Sequence, residues 1–282
     1  MIESDDQFDI AIIDADSILY QIAYMQPSPA LCRKALDDKL KEIMTNTGAI
    51  AGAVFIKGKD NFRYQVDAAY KGNRKDNIEP EVKDRIEDLY EYCKEFGIQS
   101  DGGEADDYCG IAADLAIGDN KRYIVCHIDK DLDCIPGWHY NFRKDTLYYV
   151  EPEDGYRFLM MQILTGDATD NIQGLRGVGP KTAEKLINGV PNTHLWSRVI
   201  DIWKEKCGDN WEPFFLKCAN CIYIRESDED LKPLSFEELK ERLSWKTTDT
   251  GLPSQSDQPT PSDSSMQSLD QLEDNTSEES NS

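Results

Sequence analysis

The sequence predicts an α/β fold with a mostly parallel central sheet and flanking helices, followed by a separate helical region. Three short apolar runs, FDIAIIDADS, IAGAVFIKG and KRYIVCHIDKD, are typical of parallel strands that are buried on both faces. Segments with helical spacing lie between these runs, over roughly residues 30–45, 80–96 and 104–117. Strands that alternate with helices indicate an α/β domain.

The rest of the sequence divides the chain into three regions. WHYNFRKDTLYYV predicts a hairpin with its turn near residues 143–145. The stretches after it have helical character, whereas the last part is rich in Ser, Thr, Asp, Gln and Pro and poor in apolar residues. A segment of that composition cannot bury enough surface to order itself. We therefore expect an α/β core over residues 1–154, a helical region over 155–246 and a disordered acidic tail over 247–282.

Net charge alone argues against sequence-independent binding to nucleic acid. The 282 residues include 54 acidic and 31 basic side chains, giving a formal net charge of −23, whereas such binding depends on basic surface. The charge is uneven, however, because eight acids and no Lys or Arg lie in residues 247–282 and other acids form tight clusters. No secretory signal or membrane span is recognisable. We expect an intracellular protein without a membrane partner.

Acidic side chains recur where predicted strands end and predicted helices begin. Asp14, Asp129 and Asp131 follow strands, and ligands of open parallel sheets bind at that end. Eight carboxylates in one cleft cannot all stay ionised without cations, so we expect two or more Mg²⁺ or Mn²⁺ ions. The candidate metal ligands, from four separate segments, are Asp14, Glu104, Asp106, Asp107, Asp129, Asp131, Asp167 and Asp170.

Simpler interpretations exist for each cluster alone. An acidic pair at a strand end is more often a solvated turn, and acids in a first helical turn are favoured by the helix dipole. Four clusters at such positions favour a metal site. The histidines, His127, His139 and His194, are not obvious partners in these clusters, which disfavours zinc there. Cys218 and Cys221 form one C-x-x-C, for which one face of a helix is the favoured interpretation.

The segment GLRGVGPKTAEKLI, residues 174–187, predicts a phosphate-binding turn. Gly177, Val178 and Gly179 form a tight hairpin, the proline after them fits a first helical position, and Lys181 follows. Amides at a helix start bind phosphate without reading sequence. The run resembles a helix-hairpin-helix DNA-binding motif, and an ordinary glycine-capped turn is the alternative. Gly179 is expected to need either a backbone conformation or a close approach to phosphate that is closed to larger residues.

A basic and aromatic segment, YKGNRK, is the second candidate DNA contact. Tyr70, Lys71, Arg74 and Lys75 are concentrated here in an otherwise acidic chain. Tyr70 is expected to stack on a base while the cations contact phosphate. A solvated loop is the alternative interpretation.

The order IIDAD, YKGNRK, GGEADD, HIDKDLD and GDATDNIQGLRGVGPKTAEKLI resembles the flap endonuclease and 5′-3′ exonuclease family, most closely its phage exonuclease branch. It is also similar to the 5′-nuclease domain of bacterial DNA polymerase I. The resemblance covers about residues 8–190. It implies a PIN-like or resolvase-like 5′-nuclease core in which the eight carboxylates match metal-site positions. It also implies that Lys71 and Arg74 act with Asp129 and Asp131 near the scissile phosphate, and that the hairpin binds duplex DNA and a K⁺ ion.

Two positions depart from the family pattern. The family usually has another Asp at the end of the second strand, where this sequence has Ile56, Lys57 and Gly58. Either Asp60 substitutes for this acid or the site works without it. His127 stands where a small hydroxyl residue is usual, before the D-x-D.

The residues and the resemblance together favour an enzyme. We expect a divalent-metal-dependent 5′-3′ exonuclease or structure-specific 5′-nuclease, working in phage replication or recombination from the host cytoplasm. Its expected partners are duplex DNA with 5′ ends, nicks or flaps, RNA/DNA hybrids, and a replication protein at the tail. The alternatives are a non-catalytic DNA-binding replication scaffold with structural metal, and a PIN-like ribonuclease. The full acid set counts against the first and the hairpin against the second.

Overall fold

A six-stranded sheet lies at the centre of the computed structural model, which describes residues 7–74 and 77–246. The sheet order is β3-β2-β1-β4-β5-β6, with the first five strands parallel and β6 antiparallel to β5. The predicted α/β class is therefore confirmed. The strands are β1 Ile10–Asp14, β2 Ala51–Lys57, β3 Ile98–Ser100, β4 Tyr123–His127, β5 Gly137–Asn141 and β6 Thr146–Val150.

Helices cover both faces of this sheet. Alternate residues of β1 separate the two sides, because Ile13 packs in one apolar cluster and Ile12 in the other. The first cluster contains the helices α1 Asp16–Met25, α2 Pro29–Thr47 and α4 Pro80–Cys93. The second contains α5 Ala105–Gly118, and a short α3 spans Arg63–Val66.

The second half of the chain forms its own helical core. Trp203 and Phe215 are almost fully buried in it and pack edge to face with ring centroids 5.9 Å apart. Its elements are α6 Pro152–Thr165, β7 Gly166–Asp167, β8 Ile172–Gln173, α7 Pro180–Ile187, α8 Asn192–Cys207, α9 Trp211–Ile222 and α10 Phe236–Leu243. Residues 247–282, the predicted tail, lie outside the described residues. Within 7–74 and 77–246, no helix has the length and apolarity that crossing a membrane requires.

Sheet topology fixes where a ligand site belongs. β1 is central, with β2 on one side and β4 on the other, so the strand order reverses between β1 and β4. In open α/β sheets the crevice for ligands lies at the carboxyl ends of strands at such a reversal. Asp14 is the last residue of β1, and Asp129 lies two residues beyond β4.

Candidate metal centre and nucleic-acid interface

Carboxylates from separate segments converge at this crevice. Burial, together with the charges of Asp16 and Asp129, raises the pKa of Asp14 to about 7. Burial, Asp14 and Glu104 raise the pKa of Asp106 well above its ordinary value. These acidic neighbours lie on β1, just beyond β4 and at the start of α5. The carboxyl ends of β1 and β4 and the start of α5 therefore meet at one acidic centre.

The other side of the cleft carries Asp131, Asp167 and Asp170. Asp131 lies in a single 3-10 turn, Lys130–Cys134, after β4, and its Oδ1 accepts from Gln162 Nε2 at 2.8 Å. Burial and the charges of Asp129 and Asp167 raise the pKa of Asp131 to about 6, although Lys130 opposes this. The acids that line the cleft are Glu104, Asp106, Asp131, Asp167 and Asp170.

Asp107 does not face this cleft, which corrects its assignment to the metal site. Its carboxylate is fully buried and accepts from Arg63 Nη1 at 2.5 Å and Nη2 at 2.8 Å. It also accepts from the backbone N–H groups of Glu104 and Arg225, at 2.9 Å and 3.0 Å. Burial alone would raise the pKa of Asp107, but the charge and hydrogen bonds of Arg63 lower it below its ordinary value. Asp107 ties α3, α5 and the segment after α9 together.

The basic segment lies directly against the acids. Lys71 Nζ is 2.5 Å from Glu104 Oε1 and 3.6 Å from Asp170 Oδ2, and Arg74 pairs with Asp170. The backbones also join, because Lys71 N–H donates to the Asp170 carbonyl at 2.8 Å. Lys75 lies outside the described residues. Lys71 and Arg74 thus supply the counter-charge that the clustered acids need.

The sequence predicts that Tyr70 stacks on a base, but the structure buries its ring. Its ring is 3% exposed and packs at the edge of the helical core. Its hydroxyl donates to Glu104 Oε2 at 2.9 Å and lies 3.2 Å from Asp170 Oδ2. The buried ring has no free face for a base, so the structure makes Tyr70 a support of the acidic cluster.

The end of β2 lacks the acid that the family pattern has there, but its backbone binds the carboxylate of Asp16. Lys57 N–H donates to Asp16 Oδ1 at 2.9 Å, and Tyr90 O–H donates to the same oxygen at 2.9 Å. The Lys57 ammonium lies 4.4 Å from the Tyr90 ring centroid. Asp60 is exposed, with a left-handed φ of 60°.

The glycine turn before α7 presents backbone to solvent. Gly177 and Gly179 are exposed, whereas the Val178 side chain is 5% exposed and packs in the helical core. Gly177 has φ +77°, but Gly179 has φ −94°. Gly177, not Gly179, is therefore the residue whose backbone conformation favours glycine, and a close approach of phosphate to Gly179 stays a prediction. Lys181 is exposed in the first turn of α7.

The donor set fits hard divalent cations. All candidate ligands are carboxylate oxygens, and those of Asp14, Asp106 and Asp131 resist losing their protons because of burial and like charge. A divalent ion relieves that repulsion, and oxygen ligands suit Mg²⁺ and Mn²⁺. Sequence reasoning missed Gln162 and Arg63, which carry no motif and reach the site only through the tertiary fold.

Comparisons with known proteins agree with this architecture. No protein-family model matches the chain. A 5′-3′ exonuclease of Buchnera aphidicola is 30% identical over 154 residues, which cover 49% of this chain and 52% of that protein. DNA polymerase I of Bacillus caldotenax is 31% identical over 149 residues, covering 47% of this chain and 17% of the polymerase. The chain spans about half the length of the first of these relatives and less than a fifth of the second.

Solved structures show the same fold. A phage T5 5′-exonuclease with divalent zinc ions bound has a TM-score of 0.64 and 17% identity, covering 84% of this chain and 97% of the other. A phage T5 flap endonuclease in complex with DNA and metal ions has a TM-score of 0.57 and 16% identity, covering 83% and 97%. Together with the sequence relatives, these matches show that the chain is similar in sequence and in fold to 5′-3′ exonucleases and flap endonucleases.

Proposed function

We propose that this chain is a divalent-metal-dependent 5′-nuclease that hydrolyses phosphodiester bonds of duplex DNA at 5′ ends, nicks or flaps. One observation carries the proposal. Acids from the ends of β1 and β4, the start of α5 and the β7–β8 turn share one cleft with Lys71 and Arg74. A protein that only binds DNA has no need of such a costly concentration of like charge.

The proposed metal ligands are the cleft acids together with Asp14 and Asp129, at the reversal of the sheet. When bound, two Mg²⁺ or Mn²⁺ ions would generate hydroxide from water and offset charge on the attacking and leaving oxygens. Asp131 is held for this role by Gln162 and by Lys130, whose Nζ lies 2.6 Å from its carboxylate. These two contacts keep its oxygen at the cleft.

Lys71 and Arg74 are proposed to act on the scissile phosphate. Both cations already point into the acidic cleft, and the Glu104 and Asp170 carboxylates raise the pKa of Lys71 despite the opposing effect of its burial. Lys71 therefore stays charged at neutral pH. A fixed cation at this position would favour the transition state, where negative charge on the phosphate grows.

The glycine turn and α7 are proposed to hold the duplex away from the cut site. The exposed backbone of Gly177 and Gly179 and the nearby Lys181 offer donors to phosphate oxygens. A K⁺ ion at this hairpin is part of the proposal. So is the division of labour between a nuclease core over residues 1–154 and a DNA-binding region over 155–246.

A cleavage assay tests the proposal directly. Duplexes labelled at the 5′ end, either blunt, nicked, flapped or primed with RNA, are incubated with Mg²⁺, Mn²⁺ or EDTA. We expect metal-dependent release of labelled product, and at least about 100-fold slower turnover for Asp131→Ala at unchanged DNA affinity. Asp119→Asn, on the exposed end of α5, is the matched control. DNA binding without cleavage of any substrate would instead support a replication scaffold.

The same substrates also test whether the protein cuts RNA/DNA hybrids and what the tail does. Cutting of the RNA strand would extend the activity to RNA/DNA hybrids. Truncation after Lys246 tests the proposed tail, and we expect cleavage and metal dependence to survive it. Tighter DNA binding by the truncated protein would support electrostatic competition by the acidic tail.

A further inference from the structure

Two buried histidines behind the acidic cleft meet nitrogen to nitrogen. His127 ends β4 and His139 lies in β5, the neighbouring strand, and the two side chains are 1% and 0% exposed. His127 Nε2 is 2.7 Å from His139 Nδ1. The other histidine, His194, is exposed on α8. Nothing in the proposed nuclease chemistry uses the buried pair.

Proton positions on the two rings follow from their other contacts. His127 Nδ1 lies 2.5 Å from the Asp129 carbonyl oxygen, and His139 Nε2 lies 2.8 Å from the Ile135 carbonyl oxygen. A carbonyl oxygen only accepts, so both of these nitrogens must carry hydrogen. If both imidazoles are neutral, the facing nitrogens, His127 Nε2 and His139 Nδ1, carry no hydrogen and point their lone pairs at each other. Two lone pairs 2.7 Å apart repel each other unless a cation lies at the junction.

A third candidate metal ligand, the carboxylate of Asp133, lies beside this junction. Asp133 Oδ1 lies 3.8 Å from His127 Nε2, and one ligand atom from each of His127, Asp133 and His139 lies within 4.8 Å of the others. Tyr148 O–H donates to Asp133 Oδ1 at 2.6 Å and fixes that carboxylate. Asp133 is 34% exposed, so the junction has a route to solvent.

The surroundings are those of a metal-binding pair of histidines. Histidine ligands almost always donate their other ring N–H to a carbonyl or carboxylate, which sets the tautomer and aims the lone pair at the metal. His127 and His139 both do so. A proton at the junction would instead create an imidazolium where both rings are nearly fully buried, without a direct carboxylate partner at hydrogen-bond distance.

We propose that His127, His139 and Asp133 bind one zinc ion, at a site separate from the carboxylate centre. Imidazole nitrogen suits zinc and is a poor ligand for Mg²⁺. Nitrogens bound tetrahedrally at about 2.0–2.1 Å lie roughly 3.3 Å apart, so the rings need to part by about half an ångström, which their repulsion favours. Water or Tyr148 Oη, 3.2 Å from His127 Nε2, completes the coordination.

This ion would fasten the turn that carries the catalytic acids. Asp133 belongs to the same 3-10 turn as Asp131, and His127 Nδ1 holds the Asp129 carbonyl. Zinc at the junction therefore ties β4, β5 and that turn together immediately behind the cleft. The evidence for this zinc site is the set of contacts around His127, His139 and Asp133, so the proposal does not depend on the proposed nuclease activity.

Zinc binding by the full-length chain tests the proposal. Zinc is titrated by calorimetry in excess Mg²⁺, which occupies the oxygen-only centre, and Co²⁺ spectra report whether the ion is tetrahedral. The parent and the exposed-histidine control His194→Asn should each bind one zinc tightly. His139→Asn should lose that ion, and Asp133→Asn should bind it at least about ten-fold more weakly. Asp14→Asn, which disturbs only the carboxylate centre, should retain it.

Two outcomes of the zinc titration would overturn the proposal. One is the absence of tight zinc binding by the parent in excess Mg²⁺. The other is a zinc affinity that is the same in the parent, His139→Asn and Asp133→Asn. Because Asp133 is partly exposed, its amide variant keeps the test decisive even if the buried His139→Asn fails to fold. An octahedral Co²⁺ spectrum would likewise contradict a site built on two imidazoles.

Discussion

The Lys71 ammonium lies 2.5 Å from the Glu104 carboxylate, although the two residues are 33 positions apart in the chain. This contact joins the basic segment to the start of α5. It places a fixed positive charge among acids that repel one another. In the resting site this cation offsets carboxylate charge, and under the proposed function it would also offset charge on the phosphate during cleavage.

Lys71→Ala should therefore slow cleavage more than it weakens binding. In single turnover, with all substrate bound, we expect a rate at least about 100-fold below the parent and affinity within several-fold. Lys59→Ala is the matched control, because Lys59 is an exposed lysine of the preceding loop. Arg74→Ala should give a milder loss, since Lys71 remains. A parental single-turnover rate for Lys71→Ala would mean that this lysine only balances the resting carboxylates.

The two aspartates of EADD should respond in opposite ways. Asp107→Asn removes one partner of a buried ion pair and leaves Arg63 uncompensated, so we expect a loss of about 3–5 kcal/mol in the free energy of unfolding. Asp106→Asn removes a charge that its neighbours oppose, and should stabilise the metal-free protein. Urea denaturation in EDTA measures both. Equal stability of the two variants would contradict the separate roles given to these neighbours.

Stabilisation by Mg²⁺ should grow as pH rises. Burial and like charges raise the pKa of Asp14 to about 7 and of Asp131 to about 6, from 3.8. Between pH 3.8 and 7 the metal-free folded chain retains protons that the unfolded chain has lost, so these groups reduce stability as pH rises. Bound Mg²⁺ removes that penalty. At a hundred times its Kd, a ligand specific for the folded state adds about 2.7 kcal/mol.

Thermal unfolding at pH 5 and pH 8, with Mg²⁺ or EDTA at matched ionic strength, measures this increment. Burial lowers the pKa values of His127 and His139, which favours stability as pH rises through the same acidic range. In protein freed of zinc beforehand that contribution is common to both samples, so the difference between Mg²⁺ and EDTA isolates the carboxylates. An increment that is equal at the two pH values would show that the acids are already ionised without metal.

Sequence reasoning located the fold because apolar runs and helical spacing are local signals. The helices near 30–45, 80–96 and 104–117 are observed as α2, α4 and α5. The three-residue strand β3 and helix α1, which directly follows β1, were not predicted. β3 is too short to show periodicity, and α1 begins within the run that predicts β1.

The candidate site could be predicted only in part, because its geometry depends on tertiary contacts. Spacing places Asp106 and Asp107 side by side, but which one faces the cleft depends on Arg63, a residue 44 positions away. The ring of Tyr70 is buried by the helical core, which its own segment does not reveal. The meeting of His127 and His139 likewise depends on the pairing of β4 with β5. Tertiary contacts of this kind leave no mark in a single sequence.

Replacing the two exposed glycines of the hairpin should separate backbone strain from phosphate contact. Gly177→Ala places a side chain at φ +77°, a conformation that costs an L-residue about 1–2 kcal/mol. Gly179→Ala meets no heavy atom within 4 Å and has φ −94°, so the fold should tolerate it. We expect Gly177→Ala to lower both stability and duplex affinity, and Gly179→Ala to leave stability unchanged.

Lys181→Ala then isolates the electrostatic part of this interface. A phosphate contact from the first turn of α7 carries no sequence information, so affinity should fall by a similar factor on unrelated duplexes. The slope of log affinity against log salt concentration should become shallower by about one. Lys206→Ala, at an exposed lysine in the last turn of α8, is the matched control and should leave the slope unchanged. If Lys181→Ala and Lys206→Ala give the parental slope alike, α7 does not touch the phosphate backbone, and the duplex must be held elsewhere.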